Sequence, residues 1–354
     1  MHGARSGPGT AGGATTPEPE VRFGPAGWSY ADWEGIVYPR PRPRGFHPLD
    51  LLTTLFATVE VNATFYRDVT TRQVEAWCRR VEARPDFRWS FKLHRSLSHG
   101  GAPPEPRALL DAVRVFRPAR DAGRLGALLL QFPWSLRATA EHASRLADLA
   151  RAAGEAGWPL VIEVRHAGWR ATPPFPPVVC DQPPLRDNLL PDDALAAALG
   201  DLPTPPTSPT PPTPPTPPTP PTPPAPLYIR LHGRNSAAWF APGAGRDARY
   251  DYLYDESELA GWLTRLRATA PRLPAGTAIH VIANNHFRGQ AVVNALQLQR
   301  LWSGLSPAVP ASLRTAYPRE LHPFPELAAP PRAAPAGRGP ERPRSGGGRD
   351  PTLF

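Results

Sequence analysis

Acidic, basic and amide side chains collect near the ends of short apolar runs along this chain. Leu160-Val161-Ile162-Glu163-Val164-Arg165 is the clearest run, and strand alternation places Val161, Glu163 and Arg165 on one face. Thr58–Asn62 puts Glu60 and Asn62 together, and Trp89–His94 aligns Ser90, Lys92 and His94. Gln131 ends the run Gly126–Phe132, and Asp181 ends Val178–Asp181. Leu227–His232 pairs Arg230 with His232, and Ala278–Asn284 runs into Asn285. A strand inside an α/β domain is expected to be apolar on both faces. Polar residues gathered at the last positions therefore predict parallel strands emptying into one shared site.

The residue types set the chemistry. Glu60, Lys92, Glu163, Asp181 and His232 form the candidate catalytic set, with Glu60 and Glu163 able to act as general acid and base if their surroundings split their pKa values. Lys92, Arg165 and Arg230 suit a phosphate or carboxylate, and Asn284 and Asn285 can orient hydroxyls. Asn62, His94 and Gln131 add further binding positions, while Trp28, Tyr30, Phe65, Tyr66 and Trp169 supply apolar or stacking walls. A divalent metal is a candidate cofactor, since His94, His99, His232, Glu60, Glu163 and Asp181 are permissible ligands; no local pair has diagnostic spacing. Lys92 is the single lysine of a chain that otherwise uses arginine for positive charge. Arginine does not deprotonate at accessible pH, whereas a buried lysine can, as a base or as a Schiff-base nucleophile.

Positioning these groups requires eight strands. The apolar runs begin with Val21–Gly24 and continue through those above. Helical spacing alternates with them at Leu49–Phe56, Thr70–Ala83, Leu109–Phe116, 138–153, Asp192–Leu199, Glu256–Thr269 and Gly289–Trp302. Twelve residues with four prolines separate Arg165 from the sixth strand, so the crossover from strand five to strand six is short and lacks a helix. Alternating strands and helices over roughly 260 core residues predict a single-domain TIM-like (β/α)8 barrel, for which ~250 residues is typical.

Composition sets the limits of that domain. Residues 1–20 read as a disordered N-terminus, the domain runs over 21–303, and 304–354 reads as a disordered Pro/Arg/Gly-rich tail. Within the domain, 203–226 is a Thr-Pro-Pro tract that must run as extended polyproline in a surface loop. The two cysteines form no disulfide framework, the N-terminus lacks the apolar core of a leader, and no run is long enough for a membrane span; a cytoplasmic protein with no membrane partner is expected. The formal charge of +9 comes from 40 basic and 31 acidic residues. It favours a small anionic ligand and leaves nucleic acid as the competing partner, although the arginines are spread rather than striped.

Several segments resemble one family, the YecE-like proteins (domain of unknown function 72, DUF72). Gly24–Pro39 is similar to its opening motif and Phe56–Arg67 to its second; Phe87–His99, Leu125–Arg137, Leu160–Trp169, Tyr228–Gly233 and Asn284-Asn285 through Leu296 follow in order. Pro25-Ala26 and Ala283 depart from the pattern of that family. The resemblance implies a TIM-like barrel and brings no settled activity. The function expected is therefore that of an enzyme using acid and base groups at a barrel mouth on a small phosphorylated or sugar-like substrate, as a hydrolase, lyase or isomerase. A nuclease-like nucleic-acid protein and a non-catalytic ligand-binding protein are the alternatives.

Overall fold

A computed structural model describes residues 19–327, apart from 171–174, 176, 186, 201–223, 240, 242 and 244. All eight expected strands form: β1 (Val21–Pro25), β2 (Thr58–Val61), β3 (Arg88–Lys92), β4 (Leu125–Gln131), β5 (Leu160–Glu163), β6 (Val179–Asp181), β7 (Leu227–Leu231) and β8 (Ile279–Ala283). Every pairing is parallel, in two four-stranded sheets ordered β1-β8-β7-β6 and β2-β3-β4-β5. The sheets meet at two seams. At one, Gly27 N donates to Glu60 O; at the other, Val178 N donates to Ile162 O. Each seam carries a single parallel bridge, Ala26 to Glu60 and Ile162 to Pro177.

Alternation divides the strands' apolar residues between two cores. Outward residues such as Val59, Phe91, Leu128, Ile162 and Ile229 pack under the helices. Inward residues form a smaller cluster of Ala26, Ala127, Leu129, Val161, Val178, Cys180, Tyr228 and Ile282, drawn from both sheets. The helices that cover the outer core are locally specified. Thr70 caps Thr71–Arg80 in a reciprocal box with Gln73, and Asp255 does the same for Glu256–Thr269 with Glu258. Between β5 and β6 the described residues hold only the 3-10 turn Ala167–Arg170, in keeping with the proline-rich spacing.

Gly24 allows β1 to approach β2. A Cβ at this position would lie 2.0 Å from the Thr58 carbonyl oxygen, a backbone atom that cannot swing away. Gly24→Val is therefore expected to lower stability by about 1–3 kcal/mol, the usual penalty of overpacking. Urea unfolding checks it, and an unchanged midpoint would mean that β1 does not approach β2 this closely.

The domain extends past the expected boundary at 303. Ala311–Ala316 is helical, Val309 bridges to Glu326, and Val309, Leu313, Leu321 and Phe324 are buried. Ser312 Oγ donates to Ile36 O, and Tyr317 Oη to Arg288 O. The Pro/Arg/Gly-rich composition of 304–354 hides four apolar anchors that suffice to dock its described part, so 304–327 packs on the domain where a tail was expected. The expected disorder of 1–18 and 328–354, and nearly all of the Thr-Pro-Pro tract, fall outside the described residues.

Candidate active site

Three inward side chains from three strands make the floor of the site. Arg230 on β7 lies between Glu60 on β2 and Glu163 on β5, with relative exposures of 1%, 0% and 0%. Its Nε and Nη2 donate to Glu60 Oε2 and Oε1 at 2.9 and 2.6 Å, and Nη1 donates to Glu163 Oε2 at 2.7 Å. Tyr228 Oη adds a bond to Glu60 Oε2 at 2.9 Å, while Arg165 Nε donates to Glu163 Oε1 at 2.7 Å. Burial opposes ionisation of Glu163, but Arg165 and Arg230 outweigh it and hold the carboxyl well below its usual range. Two carboxylates and two guanidiniums thus compensate one another away from water. A charge left alone there would be costly.

Lys92 sits on this floor without joining it. Its Nζ lies 3.8 Å from the centre of the Phe65 ring and makes no ion pair with a carboxylate among the described residues. Burial first, then the neighbouring Arg230, pushes its pKa down to about 7, against partial support from Glu163 and Glu60. The lysine that sequence singled out is therefore an amine whose protonation changes near neutrality.

A pocket of about 300 Å³ opens above. Lys92, Arg230, Gln131 and Asn284 form its base, Asn62, Tyr66 and Arg67 one wall, and Trp28, Tyr30, Tyr250 and His286 another. Tyr30 stacks on His286 with ring centres 4.3 Å apart, and Tyr250 packs on the same imidazole at 4.9 Å. Gly27 keeps a positive φ of 78°, and a Cβ there would strike the Tyr30 hydroxyl, so glycine is needed for the loop to fold under this wall. Asn62 Oδ1 and Trp28 Nε1 are buried with no hydrogen-bond partner among the described residues. Tyr66 is 53% exposed at the rim.

Of the residues expected from sequence, Trp28, Tyr30, Asn62, Tyr66, Lys92, Gln131, Arg230 and Asn284 line this pocket. Glu60, Glu163, Arg165, His232 and Phe65 lie close beneath or beside it. His232 is fully buried, close to Arg165 and Glu163, and burial pushes its pKa down to about 3. Asn284 Nδ2 donates to its Nδ1 at 2.9 Å, so this neutral imidazole holds the Asn284 amide at the pocket base. Glu60 and Glu163, the expected general acid and base, likewise place their oxygens on arginines.

Four expected residues lie elsewhere. On the three-residue β6 it is Cys180 that faces inward, opposite Arg230, so Asp181 faces out. Asp181 accepts from Arg234 Nε and Nη2 at 2.8 and 2.6 Å and from Trp262 Nε1, fastening the strand to helix Glu256–Thr269. Asn285 bonds to Tyr252 O and to Asn294, and buried Trp169 donates to Leu136 O; both hold structure. His94 caps the turn Arg95–Leu97 through Ser96. Sequence reasoning missed Arg67, Tyr250 and His286 as pocket residues. His286 follows the Asn pair at the end of β8, which was the available signal, whereas nothing local places Tyr250.

Glu163, Cys180 and His232 offer three ligand atoms within 4.8 Å of one another. They fit a divalent cation poorly. Both Glu163 oxygens already accept from guanidiniums, Arg165 Nη2 stands 3.4 Å from His232 Nε2, and burial and Glu163 push the Cys180 thiol far up. A cation there would face two fixed positive charges, so no chemistry is routed through one.

Parallel strands feeding a covered pocket place the chain in the α/β class, with its candidate site where strand ends converge. A family profile described as "Protein of unknown function DUF72" matches residues 22–317, and the chain belongs to that family. A crystal structure of a DUF72 family protein from Thermotoga maritima is similar at 26% identity, covering 80% of this chain and 98% of that one with a TM-score of 0.57. One from Enterococcus faecalis is similar at 22% identity, over 81% and 96% of the two chains, with a TM-score of 0.59. No protein of curated function matches the sequence. No helix among the described residues is long and apolar enough to cross a membrane.

Proposed function

We propose that this chain is an enzyme that transfers protons through Lys92 on a small anionic, hydroxyl-bearing substrate of phosphorylated or sugar-like type. The two sheets close in this reading into one (β/α)8 barrel, supported by a bridge at each seam and by an inner core drawn from both sheets. The observation that carries the proposal is the placement of Lys92. It lines the pocket with no carboxylate of its own, while the acids beside it are neutralised by Arg230 and Arg165. An amine with a pKa of about 7 is matched to proton transfer at neutral pH.

Gln131, Asn284 and Asn62 supply amide donors and acceptors for substrate hydroxyls, and the Trp28 and Tyr30 wall covers an apolar ring or chain face. Arg67 adds positive charge to the wall, which favours a phosphate or carboxylate. The small volume of the pocket favours a metabolite-sized ligand over a polymer.

Calorimetric titration with a panel of phosphorylated and carboxylated sugars tests the proposal. A ligand is expected to bind, and Lys92→Met and Gln131→Leu are each expected to weaken it tenfold or more. Undiminished binding by both variants would remove the pocket from the function. Steeply salt-dependent binding of random oligonucleotides, with no sugar bound, would favour a nucleic-acid role instead.

A further inference from the structure

Two features of the pocket go beyond proton transfer. First, the Lys92 amine has no polar partner among the described residues: an aromatic face lies beside it, and the nearby carboxylates are committed to guanidiniums. An unpaired amine beside a pocket can attack a carbonyl carbon as well as take up a proton. Second, Asn62 lines the same pocket and keeps its Oδ1 buried with no hydrogen-bond partner among the described residues. An unmet buried acceptor carries a free-energy penalty that a ligand hydroxyl donating to it would relieve.

We propose that Lys92 is a nucleophile that forms an imine with the carbonyl carbon of a small hydroxy-aldehyde or hydroxy-ketone bearing an anionic group, with Asn62 accepting from one of its hydroxyls. This inference rests on the pocket being the substrate site described above. In the step, the amine lone pair forms the C–N bond while one amine proton passes to the carbonyl oxygen, giving a carbinolamine. The second amine proton then joins the departing hydroxyl as water, so that C=N replaces C=O with no change in oxidation state. Once protonated, the imine withdraws electrons from the adjacent carbon and assists proton removal or C–C cleavage there. Arg230 and Arg165 contribute by disfavouring the ammonium form, which has no lone pair to give. Gln131 and Asn284 stand at the same base to hold neighbouring hydroxyls.

The composition of the chain makes the test unambiguous, because Lys92 is its only lysine and the N-terminal amine is the only other amine to compete. The full chain is incubated near neutral pH with glyceraldehyde 3-phosphate or, separately, dihydroxyacetone phosphate, then reduced with borohydride and mapped by mass spectrometry. One reduced probe per chain is expected on the Lys92 peptide, at least tenfold in excess of the N-terminus, absent without hydride and absent from Lys92→Arg. An adduct confined to the N-terminus, or equal labelling of native and urea-unfolded protein, would overturn the imine. Calorimetry on the same samples separates the two readings. Probe binding that Lys92→Met weakens, with no adduct, would leave proton transfer standing and remove the imine; no binding by any small anion would remove both.

Discussion

Arg230→Met is expected to destabilise the fold by about 3–5 kcal/mol at neutral pH, the penalty of breaking a buried ion pair by removing one partner. The reason lies in what the substitution leaves behind. Glu60 would lose two charge-assisted bonds and Glu163 one, both at zero exposure, and Arg165 can compensate only Glu163. The pH dependence gives the prediction its sign. In the native protein the Glu163 carboxyl is held below its ordinary range, so its contribution is fully present above the unfolded pKa and is lost as pH falls through the folded one. In the variant the Glu163 carboxyl loses one of the two guanidiniums that hold it down and takes up a proton more readily, so acid narrows the difference. Urea unfolding at neutral pH and again in the carboxylate range is the measurement, with the gap between wild type and variant narrowing in acid. A gap under about 1 kcal/mol at neutrality, in the range of an exposed pair, would mean that the cluster is hydrated.

Lys92→Met is expected to act in the opposite direction and to stabilise the protein. Burial lowers the lysine's pKa from 10.5 to about 7, so between those values the unfolded chain binds a proton that the folded chain does not. Stability of the native protein therefore rises with pH across that window, and below it the full cost of charging a buried amine is paid. At about 1.4 kcal/mol per pKa unit the cost is on the order of 4–5 kcal/mol near and below neutrality. Methionine removes the charge and keeps a flexible apolar stem against the Phe65 ring. Chemical unfolding of both proteins over a pH series should show a gain of several kcal/mol near pH 6 that vanishes near the unfolded lysine pKa. Equal stability at neutral pH would mean that the amine is solvated, and the case for an activated lysine would fall with it. A functional group that lowers stability where it stands is the expected signature of an active site.

The period of two in each strand was enough to place Glu60, Lys92, Glu163, Arg230 and Asn284 on the same side of their strands, because alternation is a local property of extended backbone. Helix Glu256–Thr269 was equally legible, from its apolar stripe of Leu259, Trp262, Leu263 and Leu266. The phase of β6 was not. With only three residues, Val179–Asp181 carries no repeat by which to choose between Cys180 and Asp181, and the partners that settle it, Arg234 and Trp262, stand 53 and 81 residues away. The same limit hid the docking of Val309, Leu313, Leu321 and Phe324, whose spacing follows no regular element.

Sequence alone determined which residue types gather at the strand ends and that one lysine stands among them. Only the tertiary structure decided which charges neutralise which. Arg230 meets carboxylates 170 and 67 residues earlier in the chain, and by pairing with them it neutralises both and leaves Lys92 with no carboxylate partner among the described residues. Coulombic pairing depends on distance in space and on the exclusion of water, and neither is encoded in the local spacing of residues.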